Sequence, residues 1–357
     1  VTGPDLEPLD APFDQYQRYQ LTSDLARAMT TTDGGVPSVL DVGGSHLDFW
    51  GRPHRPIAEF LPEARSVTLD VVANPRRGYV RGRGDALPFP ERSFDLVASV
   101  DVLEHVPPPA RPTVLREAAR VARRAIVIAA PFRSPEVERA ETLVSDFIAR
   151  ACGYVQGQLC EHRELGWPVL ADTVHALDAA GWSTRVAPYG SVWRWALMMI
   201  DKHAVQALSG SRPLQTRLDR AYNEQSFASD RTPPCYRHFV IATRRADDPA
   251  LDWAATRLGA VPLAQLAQRP ALSPDAIDAL FDVLAIHARN QELQVRLEPE
   301  RRDEHIVDVE AHRQQVVVAL ASLQTENARL NALLHAVEQS PAFRLASWAR
   351  RLLGRSS

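Results

Sequence analysis

The chain has 357 residues, 45% of them hydrophobic and 24% charged, with a formal net charge of −3. That composition supports a soluble core of useful size and gives no global electrostatic attraction to nucleic acid. No run approaches the roughly 20 apolar residues of a membrane span, and Cys152, Cys160 and Cys235 have no zinc-ligand spacing.

The N-terminal "VTGPDLEPLDAPFD" lacks the basic segment and apolar stretch of a signal peptide. Together with thiols expected to stay reduced, this predicts a cytoplasmic protein. From Val39 to Pro131, short β-rich runs alternate with helical ones. "SVLDV", "SVTLDVV", "FDLVASV" and "RRAIVIAA" predict four strands. "PPPARPTVLREAARVA" predicts a helix with Leu115, Ala118, Ala119 and Ala122 on one face. This alternation predicts an α/β fold: a Rossmann-like, doubly wound, mostly parallel sheet with helices on both faces. A helical insertion is expected at about 134–165. "PVLADTVHALDAAGW" reads as a helix ended at Gly181, "STRVAPYG" as a strand, and "YRHFVIATRR" as a late strand.

Beyond Arg245 the β pattern ends. Residues 1–246 are therefore expected to form the main domain, and 247–300 a linker and helical segment. In 301–339 a heptad runs through Ile306, Val309, Arg313, Val316, Leu320, Leu323, Asn327, Leu330, Leu334 and Val337, and predicts a coiled coil and a homodimer. Asn327 at a core position favours a two-stranded register. In 340–357, Phe343, Leu345, Trp348, Leu352 and Leu353 interleave with four arginines. Such a basic amphipathic tail suits a membrane surface or a membrane-bound partner.

A nucleotide-type cofactor at the carboxyl ends of parallel strands needs a tight turn after the first strand and an acid after the second. Asp41, Gly43 and Gly44 follow the first strand here, and Asp70 ends the second. "GDALPFPERSFDLVASVDVLEHV", with "VLDVGG" and "VTLD" before it, closely resembles the class I S-adenosylmethionine-dependent methyltransferases, in their small-molecule and glycan-modifying branches, over about residues 15–246. The resemblance implies S-adenosylmethionine as cofactor. It places Asp41, Gly43 and Gly44 beside the methionine part, Asp70 on the ribose hydroxyls, Asp85 and Ala86 at the adenine, and Val100 and Asp101 along the other side. The family commonly reads acid-x-Gly-x-Gly-x-Gly, whereas this chain has Ser45 and Leu47 at the later positions. Serine is tolerated at modest cost if its backbone avoids positive φ. Leu47 is expected at a helix start.

Methyl transfer needs alignment and, for a hydroxyl acceptor, often a base. His105 in "LEHV", and Glu161 and His162 in "CEHRELGWP", are the candidates. The Glu-His pair before a Gly-Trp-Pro turn, with Glu138 and Glu141 upstream, resembles methyltransferases of polysaccharide assembly. The tail resembles segments of bacterial glycosyltransferases and their partners. The function this implies is O-methylation of a sugar or lipid-linked glycan, at the inner face of the membrane. No metal set is expected, since His162, Cys160 and His175 do not form one. The competing reading is a degenerate fold acting as a scaffold through its coiled coil. A dinucleotide oxidoreductase is disfavoured by the lack of a G-x-G-x-x-G turn after Asp41. A nucleic-acid methyltransferase is disfavoured because "DVLEHVPPP" stands where an Asn/Asp-Pro-Pro-Tyr element belongs.

Overall fold

The structure is a computed structural model that describes residues 7–29, 35, 37–47, 53–267 and 272–296. The predicted coiled coil at 301–339 and the basic tail at 340–357 lie outside the described residues.

The strands are β1 (Val39–Val42), β2 (His46–Leu47), β3 (Pro53–His54), β4 (Ser66–Asp70), β5 (Tyr79–Arg81), β6 (Phe94–Val100), β7 (Ala122–Ala130), β8 (Ser183–Ser191) and β9 (Cys235–Thr243). Seven of them form one sheet in the order β5-β4-β1-β6-β7-β9-β8. β5, β4, β1, β6 and β7 run parallel, and β9 is antiparallel to both β7 and β8. The sheet is therefore mixed, Rossmann-like and wound both ways from β1. That strand pairs with β4 on one side and β6 on the other, and such a switch point is where ligands bind in open α/β sheets.

The alternation of side chains along each strand builds two cores. Leu96, Val100, Val127 and Ile241 point to one face, where they meet α1 (Phe13–Ala28), α2 (Pro56–Phe60) and, late in the chain, Pro249–Leu258. Leu40, Val97, Ile128 and Val240 point to the other, against α3 (Arg111–Val121) and the helix Leu170–Ala179. These strands are buried on both faces, which is why they read as nearly continuous aliphatic runs.

A third core lies among helices: α4 (Pro135–Phe147), α5 (Gly157–Leu165), α6 (Leu170–Ala179), α7 (Val192–Ser209), α8 (Arg212–Gln225), α9 (Pro249–Leu258), α10 (Leu263–Leu266) and α11 (Pro274–Arg296) complete the chain order. Of these, α4, α7, α8 and α11 share that core through Val144, Trp195, Leu218 and Phe281. The expected insertion at 134–165 is α4, a single π turn and α5. A second helical pair, α7 and α8, sits between β8 and β9. The compact unit runs through Arg296. The segment after Arg245 thus supplies α9 and α11 to the domain's own cores, not a linker. Leu47 starts no helix: it lies on β2, which pairs antiparallel with β3.

Candidate active site

Residues at the carboxyl ends of β1, β4 and β6 border a cavity of about 780 Å³, within the range of small-molecule sites. The turn after β1 is dictated by Gly43. Its φ is +77°, and a Cβ there would lie 2.4 Å from a Val102 methyl. Its N–H donates to the Leu69 carbonyl at 2.7 Å and so ties β1 to β4. At Gly44 a Cβ would fall 1.8 Å from Asp41 Oδ2, so the backbone lies directly against that carboxylate. Asp41 itself is fully buried. Oδ2 accepts from the Tyr19 hydroxyl at 3.3 Å, while Oδ1 has no hydrogen-bond partner among the described residues. Burial lifts its carboxyl to about 7 against the opposing effects of Tyr19, Arg55 and Arg18.

Asp70 ends β4 at the cavity edge. Its Oδ2 accepts from the Ser45 N–H at 3.1 Å and its Oδ1 from the Val72 N–H at 3.2 Å. Each carboxylate oxygen retains lone-pair capacity. Ser45 thus holds Asp70 in place through its backbone, and its hydroxyl accepts from Asn74 at 3.0 Å. A third glycine is not needed for this turn. Asp85 reaches the same cavity and forms a two-pronged pair with Arg83 at 2.8 and 2.6 Å, which holds its carboxyl below the usual range. Ala86 is exposed beside it.

β6 contributes differently. Val100 is 2% exposed and packs in the sheet core with Leu96 and Val127, so its side chain faces away from a cofactor. Asp101 lines the cavity with a positive φ of 53°, a conformation aspartate tolerates better than most residues. Its carboxylate meets Arg237 Nε at 2.6 Å and Arg18 at 3.1 Å. Burial raises its proton affinity, but the two guanidiniums outweigh that and hold it below the usual carboxylate range. Asp101 therefore anchors a buried charge cluster in the cavity wall.

Two histidines meet in the same wall. His105 comes from the short turn Leu103–His105 after β6, and His162 from α5. Their Nε2 atoms are 3.4 Å apart. His105 Nδ1 lies 2.7 Å from Glu161 Oε2, and His162 Nδ1 lies 3.0 Å from Glu141 Oε1. The Tyr236 hydroxyl also donates to Glu141, at 2.9 Å, while its ring stacks on Trp195. Burial and the neighbouring His162 push the His105 imidazole below its usual range, against the pull of Glu161. Beside them, Glu104 is 1% exposed, and neither carboxylate oxygen has a hydrogen-bond partner among the described residues. Burial, reinforced by the Asp101 charge, pushes its carboxyl well above the usual range.

His105, Glu161 and His162, chosen from sequence, are thus brought together. Glu138 is not with them, since it pairs with Arg133 at the surface. Sequence reasoning missed Glu104 and Tyr236. Glu104 was visible in "LEHV", and only its burial distinguishes it.

Residues 56–128 match the family described as a methyltransferase domain. An uncharacterized methyltransferase of Mycobacterium sp. strain JLS is 37% identical over 94 residues, 26% of this chain and 37% of that protein. The chain therefore spans little more than a third of that relative's length. Among solved structures, a magnesium protoporphyrin IX methyltransferase from Synechocystis PCC 6803 with bound S-adenosylhomocysteine is 15% identical, with a TM-score of 0.36, over 65% of this chain and 86% of that one. A 1,6-didemethyltoxoflavin-N1-methyltransferase from Burkholderia thailandensis is 15% identical, with a TM-score of 0.33, over 65% of this chain and 81% of that one.

Proposed function

We propose that this chain is an S-adenosylmethionine-dependent methyltransferase that O-methylates a hydroxyl of a sugar or lipid-linked glycan. One observation carries this reading. A carboxylate with free lone pairs at the end of β4, Asp70, shares a cavity with a carboxylate-backed histidine, His105.

The residues suit the cofactor. Asp70 would accept the ribose hydroxyls, Asp85 the adenine amino group, and the orphaned Oδ1 of Asp41 suits a cationic group near Gly43. S-Adenosylmethionine supplies a methyl group already activated on sulfonium, so the protein needs no nucleophile of its own. Its contribution is alignment, worth several orders of magnitude in rate, and acceptance of the acceptor's proton. Glu161 takes the Nδ1 proton of His105 as its hydrogen-bond partner, which fixes the tautomer and leaves Nε2 basic. His162 is fixed in the same way by Glu141. The imidazoles and Glu104 are acceptors for acceptor hydroxyls.

The glycan assignment is supported by the Glu161-His162 pair ahead of Gly166-Trp167-Pro168. A homodimer through 301–339, and contact of the tail with a membrane surface or glycosyltransferase at the inner face of the membrane, belong to the same reading. Mass spectrometry of surface glycans with and without the gene tests it. The expected result is a loss of about 14 mass units per site, the CH₂ by which a methyl ether exceeds the free hydroxyl left when the proton is not replaced by methyl. Unchanged glycans and other hydroxyl metabolites would remove the O-methylation reading.

A further inference from the structure

We propose that His105, His162 and Glu104 form a binding site for one divalent transition-metal ion of the Zn²⁺ class. Nδ1 of each ring faces a carboxylate: Glu161 for His105 and Glu141 for His162. Glu141 also accepts a hydrogen bond from the Tyr236 hydroxyl, so it acts there as an acceptor. An ionised carboxylate cannot donate, so each neutral ring carries its proton on Nδ1. Both Nε2 atoms then present lone pairs to each other across 3.4 Å. Two lone pairs at that range repel unless a proton, shared by an imidazolium and an imidazole, or a metal ion lies between them.

The spacing fits a metal. With metal–nitrogen bonds of about 2.0–2.1 Å, two ligands of a tetrahedral ion stand roughly 3.3–3.4 Å apart. One ligand atom each from Glu104, His105 and His162 lie within 4.8 Å of one another, so the two nitrogens are already at ligand spacing and the Glu104 carboxylate swings inward to complete the set. Glu104, 1% exposed and without a hydrogen-bond partner among the described residues, supplies the carboxylate ligand on giving up its proton as the ion binds. Glu161 and Glu141 are the outer carboxylates that orient metal-binding imidazoles and raise their basicity. Two nitrogens and one oxygen, with no thiolate, suit Zn²⁺, Mn²⁺ or Fe²⁺. Three protein ligands leave at least one position open to the cavity. The ion site stands on side-chain geometry alone. Its use, to bind an acceptor hydroxyl and make it more acidic, rests on the methyl-transfer reading; with the ion bound, both Nε2 lone pairs are ligands, and the ion replaces the bare imidazoles and Glu104 in activating that hydroxyl.

The full chain, stripped with a chelator and dialysed, is titrated with Zn²⁺ by calorimetry and, separately, with Co²⁺ by visible absorption. One ion per chain is expected, with Co²⁺ d–d bands of a four- or five-coordinate nitrogen–oxygen site. Glu104→Gln and His105→Ala, each checked for wild-type circular dichroism, should weaken binding at least tenfold. Absence of stoichiometric uptake by the wild-type chain, or unchanged uptake by both variants, overturns the site. S-Adenosylhomocysteine binding is measured on the same samples. Metal uptake without cofactor binding supports the ion site and removes the methyltransferase reading. Cofactor binding without metal uptake does the reverse.

Discussion

At Gly43 the chain turns from β1 into the cavity with no room for a side chain. Gly43→Ala combines a left-handed backbone with a contact 2.4 Å from Val102. It should cost about 3 kcal/mol, read as a lower denaturation midpoint, and Val102→Ala should restore only the steric part. Arg237→Ala leaves the buried Asp101 with Arg18 alone. The expected loss is about 3–5 kcal/mol, from an undercompensated buried charge, and adding Asp101→Asn should recover some of it. Asp41 gives the protein a pH signature. Its folded carboxyl holds a proton up to about 7, above the ordinary 3.8. The stabilisation is therefore complete below 3.8 and lost as pH rises through about 7, on the order of 4 kcal/mol across the window. Urea denaturation at several pH values should show a smaller decline for Asp41→Asn than for the wild-type chain. Much of this residue scale was legible. Asp41, Gly43 and Asp70 stand at strand ends and a turn that the sequence shows, whereas Asp85 is singled out through the family resemblance; all four border or adjoin the cavity. The Val100 side chain packs in the sheet core, and sequence alternation alone does not say which strand face meets the cavity. The partnership of Asp101 with Arg237 spans 136 residues of sequence, and no local pattern announces it.

Helices α4 and α5 bring Glu141, Glu161 and His162 to the site. Ser134 caps α4 by accepting from the Val137 N–H, and prolines at the starts of α3, α4 and α8 pre-set the first turn. Ser134→Ala should cost about 1 kcal/mol, measurable by thermal denaturation, with little change in the sheet. The main strands were readable because burial on both faces makes them aliphatic. Other elements were not, four of them for clear reasons. β5 is a three-residue edge strand with too little pattern. β2 and β3 pair over two residues where a glycine-rich loop suggested a helix start at Leu47. In α7 the run "VWRWALMMI" is apolar on nearly every side, because the helix packs among α4, α8 and α11. A run like that carries no period to tell helix from strand.

Across the molecule, composition marked a boundary at residue 246, while packing carries the compact unit to Arg296. The shift to Ala, Leu and Arg marks the end of the sheet, not the end of the domain. α11 closes the helical core with Phe281 and Leu284, and Arg139 lies over the Phe281 ring at 4.2 Å. Phe281→Ala should cost about 3–5 kcal/mol. A chain ending at Arg296 should unfold at the same denaturant concentration as the full chain. Both are checked by urea titration.

The central claim is that the cavity beyond β1, β4 and β6 is a site for S-adenosylmethionine held by Asp70. Isothermal titration calorimetry of the full chain with S-adenosylmethionine and S-adenosylhomocysteine tests it most directly. One site per chain is predicted, lost in Asp70→Ala while that variant keeps its circular dichroism. No heat at millimolar cofactor, or unchanged affinity in Asp70→Ala, would contradict the account.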